Sequence, residues 1–183
     1  MRQEWFIYDG KCKIPPHITH LAFDENYNQP IPDLPDGITH LIFGFGYNQP
    51  TDNLPSGITH LTFGFLYNQP TNNLPFGITH LEFVDGYNQP TNKLPSSITH
   101  LVFGRCYNQP INNLPHSITH LTFGDDYDQP ADDLPYNVIS VTFDWCFNQS
   151  TKHSDEIIRR ANRNKHNIEM KSLLLVDICA EYI

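Results

Sequence analysis

The sequence predicts a mainly β solenoid: seven stacked coils of 20 residues, each with one short strand parallel to the next and a helix-free return limb, then a C-terminal capping segment containing a helix. Three observations predict it. Ile-Thr-His recurs every 20 residues from 18–20 to 118–120 without a slip and decays to Val138-Ile139-Ser140. The residues around it alternate between apolar and polar, as in Thr59-His60-Leu61-Thr62-Phe63, which is the period of a half-buried strand. Two prolines per unit, five residues apart as at Pro70 and Pro75, exclude a regular helix from the return limb.

The elements follow in chain order. Residues 1–13 precede the repeats, and Glu4-Trp5-Phe6-Ile7-Tyr8 reads as an aromatic capping strand that covers the first coil. Seven repeats run over 14–153, and residues 154–183 lie outside the pattern. With Ile58 as position 1, Leu61 and Phe63 point to one side of the strand, and His60 and Thr62 to the other. A single coil cannot bury its apolar residues, whereas stacked coils place like residues over like and build a continuous core. Position 6 is Phe in every unit: Phe23, Phe43, Phe63, Phe83, Phe103, Phe123 and Phe143. Rings at about 4.8 Å spacing stack offset, each pair adding ~0.5–1.5 kcal/mol beyond burial. Position 7 is Gly44, Gly64, Gly104 and Gly124 in four units, which suggests a bend with unusual backbone angles.

Position 11 carries Asn28, Asn48, Asn68, Asn88, Asn108 and Asn148 beside a buried aromatic, so its amide needs partners. A column of these amides can bridge the bend backbones of successive coils. Asp128 interrupts the column, and because a carboxylate lacks the amide donors, either a weak spot or a compensating arrangement of backbone donors is expected there. After the repeats, Ser154 followed by Asp155 and Glu156 reads as the N-cap and acidic first turn of a helix over about 154–165. Residues 168–176 then form a closing strand or a second helix.

The net charge of −9 is unevenly laid out: between residues 14 and 151 the only bases are Lys93 and Arg105, against thirteen Asp and Glu. Such a body repels phosphate backbones, so no nucleic-acid partner is expected. The longest strongly apolar run, Leu173 to Val176, is far short of the ~20 residues of a membrane span, and no secretory signal is apparent at the start. Cys106 and Cys146 occupy position 9 two coils apart, roughly 9.6 Å, which is beyond disulfide reach. Cys12 and Cys179 sit in opposite caps, so a reducing cytoplasmic setting is the simpler reading.

The outward strand face holds the candidate site. Position 3 carries His20, His40, His60, His80, His100 and His120. A straight row offers a metal two ligands at a time, whereas a site needs three or four that converge, so neither metal nor other cofactor is expected. The rings read instead as a neutral ladder whose mutual repulsion lowers and spreads its titration. Position 5 varies through Ile42, Thr62, Glu82 and Val102, and position 8 through Phe45, Phe65, Asp85, Arg105, Asp125 and Trp145. Variation beside a fixed scaffold fits a recognition surface for a protein partner of unknown identity. Phe45 and Phe65 either form an exposed aromatic patch or fold over the bend to cover the core. A nucleophile, its base and an orienting group need to converge at one place, and a line of like groups gives catalysis no foothold, so an enzyme is not expected.

The unit resembles the FNIP repeat, a branch of the leucine-rich-repeat class, through Tyr27-Asn28-Gln29-Pro30 and its copies, the Leu-Pro pair, and Ile-Thr-His-Leu-x-Phe. The resemblance implies a leucine-rich-repeat-type solenoid that binds proteins. The family's occurrence in social amoebae and in giant viruses of amoebae implies a viral origin. A structural or virion component whose repeats tile against themselves is the alternative, and a metal- or pH-responsive histidine ladder is the third reading, ranked last. The chain departs from the usual leucine-rich repeat in carrying its Asn at position 11 rather than 9. Many family members carry an F-box linking them to ubiquitin ligases, and thirteen residues before the repeats are too few for one, so that adaptor role is not expected.

Overall fold

The computed structural model describes residues 4–144 together with 147 and 149. Eight short strands form one parallel sheet in chain order: β1 (Phe6–Tyr8), β2 (His20–Phe23), β3 (His40–Ile42), β4 (His60–Phe63), β5 (His80–Phe83), β6 (His100–Phe103), β7 (His120–Thr122) and β8 (Ser140–Thr142). From β2 onward every strand pairs with the residue twenty positions later, His60 with His80 and Leu61 with Leu81, giving six turns between seven repeat strands. The N-terminal strand β1 joins out of this period, with Phe6 opposite Leu21. The predicted helix over 154–165, the segment 168–176, Trp145, Cys146, Asn148 and Cys179 lie outside the described residues. Among the described residues no helix is long and apolar enough to cross a membrane.

The core is four repeating columns. Ile58, Leu61, Phe63 and Tyr67 and their counterparts in the neighbouring coils are buried. Each fully buried side chain of this size contributes about 1.5–3 kcal/mol of transfer free energy. Phe63 lies 5.3 Å from Phe83 with the rings 8° from parallel, and Tyr67 stacks on Phe63 at 3.8 Å. The buried phenols need partners: Tyr67, Tyr87 and Tyr107 meet the Thr51, Thr71 and Thr91 hydroxyls of the preceding coil at 3.1, 2.8 and 3.0 Å. The matching residue for Tyr127 is Ile111, which has no hydroxyl, and the Tyr127 phenol oxygen is buried without a partner.

Column spacing widens across the section, from 4.2 Å between His40 and His60 to 5.3 Å between Phe43 and Phe63 and 6.2 Å between Tyr47 and Tyr67. The stack is therefore shorter along the strand face than along the tyrosine side, and the sheet lies on the inside of a curve. The return limb closes with a turn: the Pro55 carbonyl accepts the Ile58 N–H at 3.3 Å, and this repeats at Pro75 and Pro95. Proline has lost its own donor there, but its fixed backbone suits the turn and its carbonyl remains in use.

Two expectations are corrected. The bend glycines do not adopt left-handed angles; among the described residues the sole positive φ belongs to Gly10. Their role is room: a Cβ on Gly64 would sit 2.0 Å from the Gly44 carbonyl oxygen, and one on Gly44 2.2 Å from that of Asp24. Asp128 makes no break in the asparagine column either. Each Asn uses its side-chain oxygen, which accepts the backbone N–H of the residue twenty later and the Nε2 of the following Gln, as Asn68 does for Asn88 at 2.9 Å and Gln89 at 3.2 Å. Asp128 offers the same acceptor, taking Gln149 Nε2 at 2.7 Å, and its N–H donates to Asn108 at 3.0 Å. The amide donors, on which the weak-spot expectation rested, carry none of these bonds.

Candidate recognition surface

The strand face is built from positions 3 and 5, which the pleat turns away from the Leu and Phe columns. Its histidines are less outward than expected. His40, His60, His80, His100 and His120 are half-buried, and His20 is buried. The rings lie flat on one another, 4.2 to 4.3 Å apart and within 12° of parallel, so only their edges meet solvent. Trp5 closes the first end of the ladder, edge-on to His20 at 5.1 Å, and leaves the His20 Nε2 buried without a partner.

A threonine hydroxyl links each ring to the backbone of the preceding coil. Thr39, Thr59, Thr79, Thr99 and Thr119 donate their hydroxyls to the backbone carbonyl of the threonine twenty residues earlier at 3.1 to 3.2 Å. The same hydroxyl lies 2.9 Å from Nδ1 of the following histidine. Donor and acceptor roles in this pair follow the ring's tautomer: with the hydroxyl proton on the carbonyl, Nδ1 donates to the hydroxyl and the neutral ring keeps an acceptor at Nε2. Burial lowers the affinity of these rings for protons, and charge on adjacent rings lowers it further: His40 and His80 fall from 6.5 to about 4, and His20 and His60 shift in the same direction. Desolvation leads here, whereas repulsion alone carried the sequence reading.

The position-5 side chains Ile42, Thr62, Glu82 and Val102 are half-buried in register beside the ladder. Burial raises the Glu82 carboxyl above its usual range, offset in part by a weak bond from the Thr62 hydroxyl at 3.5 Å. No group of three or more His, Cys, Asp or Glu converges as a metal site among the described residues. The stacked rings spend Nδ1 on threonine and offer their remaining nitrogens along a line.

At the bend, Phe45 and Phe65 do not fold inward. They are 53% and 40% exposed and stack on each other at 4.8 Å. Leu66 and Val84, which the sequence reading did not single out, are exposed beside them. The available signal was variation at positions 9 and 7, where Gly is frequent and a large apolar residue is conspicuous. Trp5 was also missed as a ladder cap, because β1 joins outside the 20-residue period. Cys12 and Cys106 are free thiols.

The family model described as the FNIP Repeat matches residues 10–46, 27–66, 47–86, 67–106, 87–126 and 107–132. Among solved structures, the chain is similar to the giant-virus protein described as CroV588, a novel circular LRR protein, at 44% identity and a TM-score of 0.69. The match covers 75% of this chain and 22% of that one, so the chain spans about a fifth of the length of that relative. No curated protein matches the sequence.

Proposed function

The chain belongs to the FNIP repeat family, and from that premise we propose that it is a non-catalytic protein-interaction scaffold of seven coils, of viral origin, acting in the cytosol of an infected host. Its strand face and adjoining bend hold a host or viral protein. The observation that carries this reading is the contrast within one face: Ile42, Thr62, Glu82 and Val102 differ while the backbone beneath them keeps one register. A fixed frame with varied half-exposed side chains is a means of specificity. The histidine ladder serves as the frame's edge.

Affinity capture from amoebal host lysate tests this reading, with the wild-type chain beside a Thr62→Arg, Val102→Arg variant. The expected result is one protein recovered with the wild type and lost with the variant, both chains remaining folded by circular dichroism. Recovery of the chain alone, unchanged by the variant, would favour the self-tiling structural role instead.

A further inference from the structure

The bend backbone is a ladder of its own. The N–H of each position-9 residue donates to the position-8 carbonyl of the preceding coil: Gly46 to Glu25 at 2.7 Å, Leu66 to Phe45 at 3.0 Å, Gly86 to Phe65 at 2.8 Å, and Cys106 to Asp85 at 3.0 Å. These bonds hold Glu25, Phe45, Phe65 and Asp85 in one column, two stacked exposed rings with a carboxylate at either end. Leu66 and Val84 widen the apolar centre. The next residue of the column, Arg105, pairs its side chain with Asp125 at 3.9 Å, while its backbone N–H donates to Asp85 Oδ1 at 3.2 Å. Neither Glu25 nor Asp85 has an ion pair among the described residues.

We propose that this column is the anchor for an extended peptide segment of a partner protein that carries a large apolar side chain between two basic ones. The proposal rests on the scaffold reading and names the partner's chemistry. Three coil steps at about 4.8 Å put the two carboxylates about 14 Å apart, which is four residues of extended chain. Residues i, i+2 and i+4 of such a segment face one way, so the pattern is basic, any, apolar, any, basic. The central side chain lies on the Phe45–Phe65 stack and the two cations meet Glu25 and Asp85. A second copy of this chain is a poor occupant, because each copy carries a net charge of −9.

The test uses the full chain and three synthetic peptides: Arg-Thr-Leu-Thr-Arg within a Gly-Ser frame, the same peptide with Glu for both Arg, and the same with Ser for Leu. Calorimetry at 50 and 300 mM salt is expected to show binding of the first alone, at least tenfold tighter at low salt. Phe45→Ser with Phe65→Ser, and separately Glu25→Lys with Asp85→Lys, are each expected to weaken it at least tenfold. The second pair leaves both rings in place and guards against a folding defect in the first; since Asp85→Lys also takes the acceptor from the Arg105 N–H, circular dichroism checks that it is folded. Binding of the Glu peptide as tightly as the Arg one overturns the proposal, as does affinity unchanged in both variants. Loss with Thr62→Arg, Val102→Arg but with neither bend variant also overturns it, while leaving the scaffold reading in place.

Discussion

The histidine and asparagine ladders run along one solenoid with one period, and only the first responds to protons. The imidazoles are stacked within 4.3 Å, and a proton on His40 or His80 is opposed by desolvation and then by charge on the neighbouring rings. The asparagines lie at the surface and contribute a side-chain oxygen to a backbone N–H, a bond indifferent to pH in this range. Equal repetition therefore conceals unequal roles, and the difference lies in which atom of the repeated side chain is used. A carboxylate replaces an amide at Asp128 without disturbing the acceptor, whereas the histidine ladder is sensitive to every added charge.

Acidification separates the two ladders by the largest margin, since it acts on several rings at once. An unfolded imidazole takes its proton near 6.5, while His40 and His80 in the folded ladder hold out until about 4. Between those limits the unfolded chain binds more protons, so stability is full above about 6.5 and falls as pH falls through the window. Urea midpoints measured from pH 7.5 to 4 should decline steadily across it, and a flat profile would remove the contrast between the ladders. Asn68→Leu comes next. It takes the acceptor from the Asn88 N–H and from Gln89 Nε2, and the loss is expected to be about 1–3 kcal/mol in urea unfolding at pH 7.5. Thr79→Val strips the hydroxyl under one ring, removing its bonds to the Thr59 carbonyl and to His80 Nδ1, and should cost about 1 kcal/mol. The smallest effect belongs to Asp128→Asn, within about 0.5 kcal/mol of wild type, because the acceptor oxygen is kept. A gain of 2 kcal/mol there would restore the idea that the amide donors matter.

Much of the architecture was legible because its cause is local and repeated. Alternation around Leu61 and Phe63 fixes which face is buried, and an unbroken period of 20 forces like over like. What escaped depends on lateral placement that no period encodes. The Tyr67–Thr51 bond joins residues 16 apart across two coils, and the Trp5 cap belongs to a strand offset by 15 from its neighbour. Glycine at the bend was legible as special, but its reason is the approach of two backbones, which a sequence does not display. At the candidate surface, the variable positions could be read off directly. Whether Phe45 and Phe65 faced solvent could not, since a bend permits either direction until the coil above it is in place.

The central claim is that residues twenty apart lie directly over one another. Ring-to-ring nuclear Overhauser effects from Phe63, assigned through the signals lost in Phe63→Leu, test it most directly. The predicted pattern is contacts to Phe43 and Phe83, each at 5.3 Å, and to Tyr67 at 3.8 Å, with none to Phe103. Contacts from Phe63 to other rings, with those to Phe43 and Phe83 missing, would contradict it.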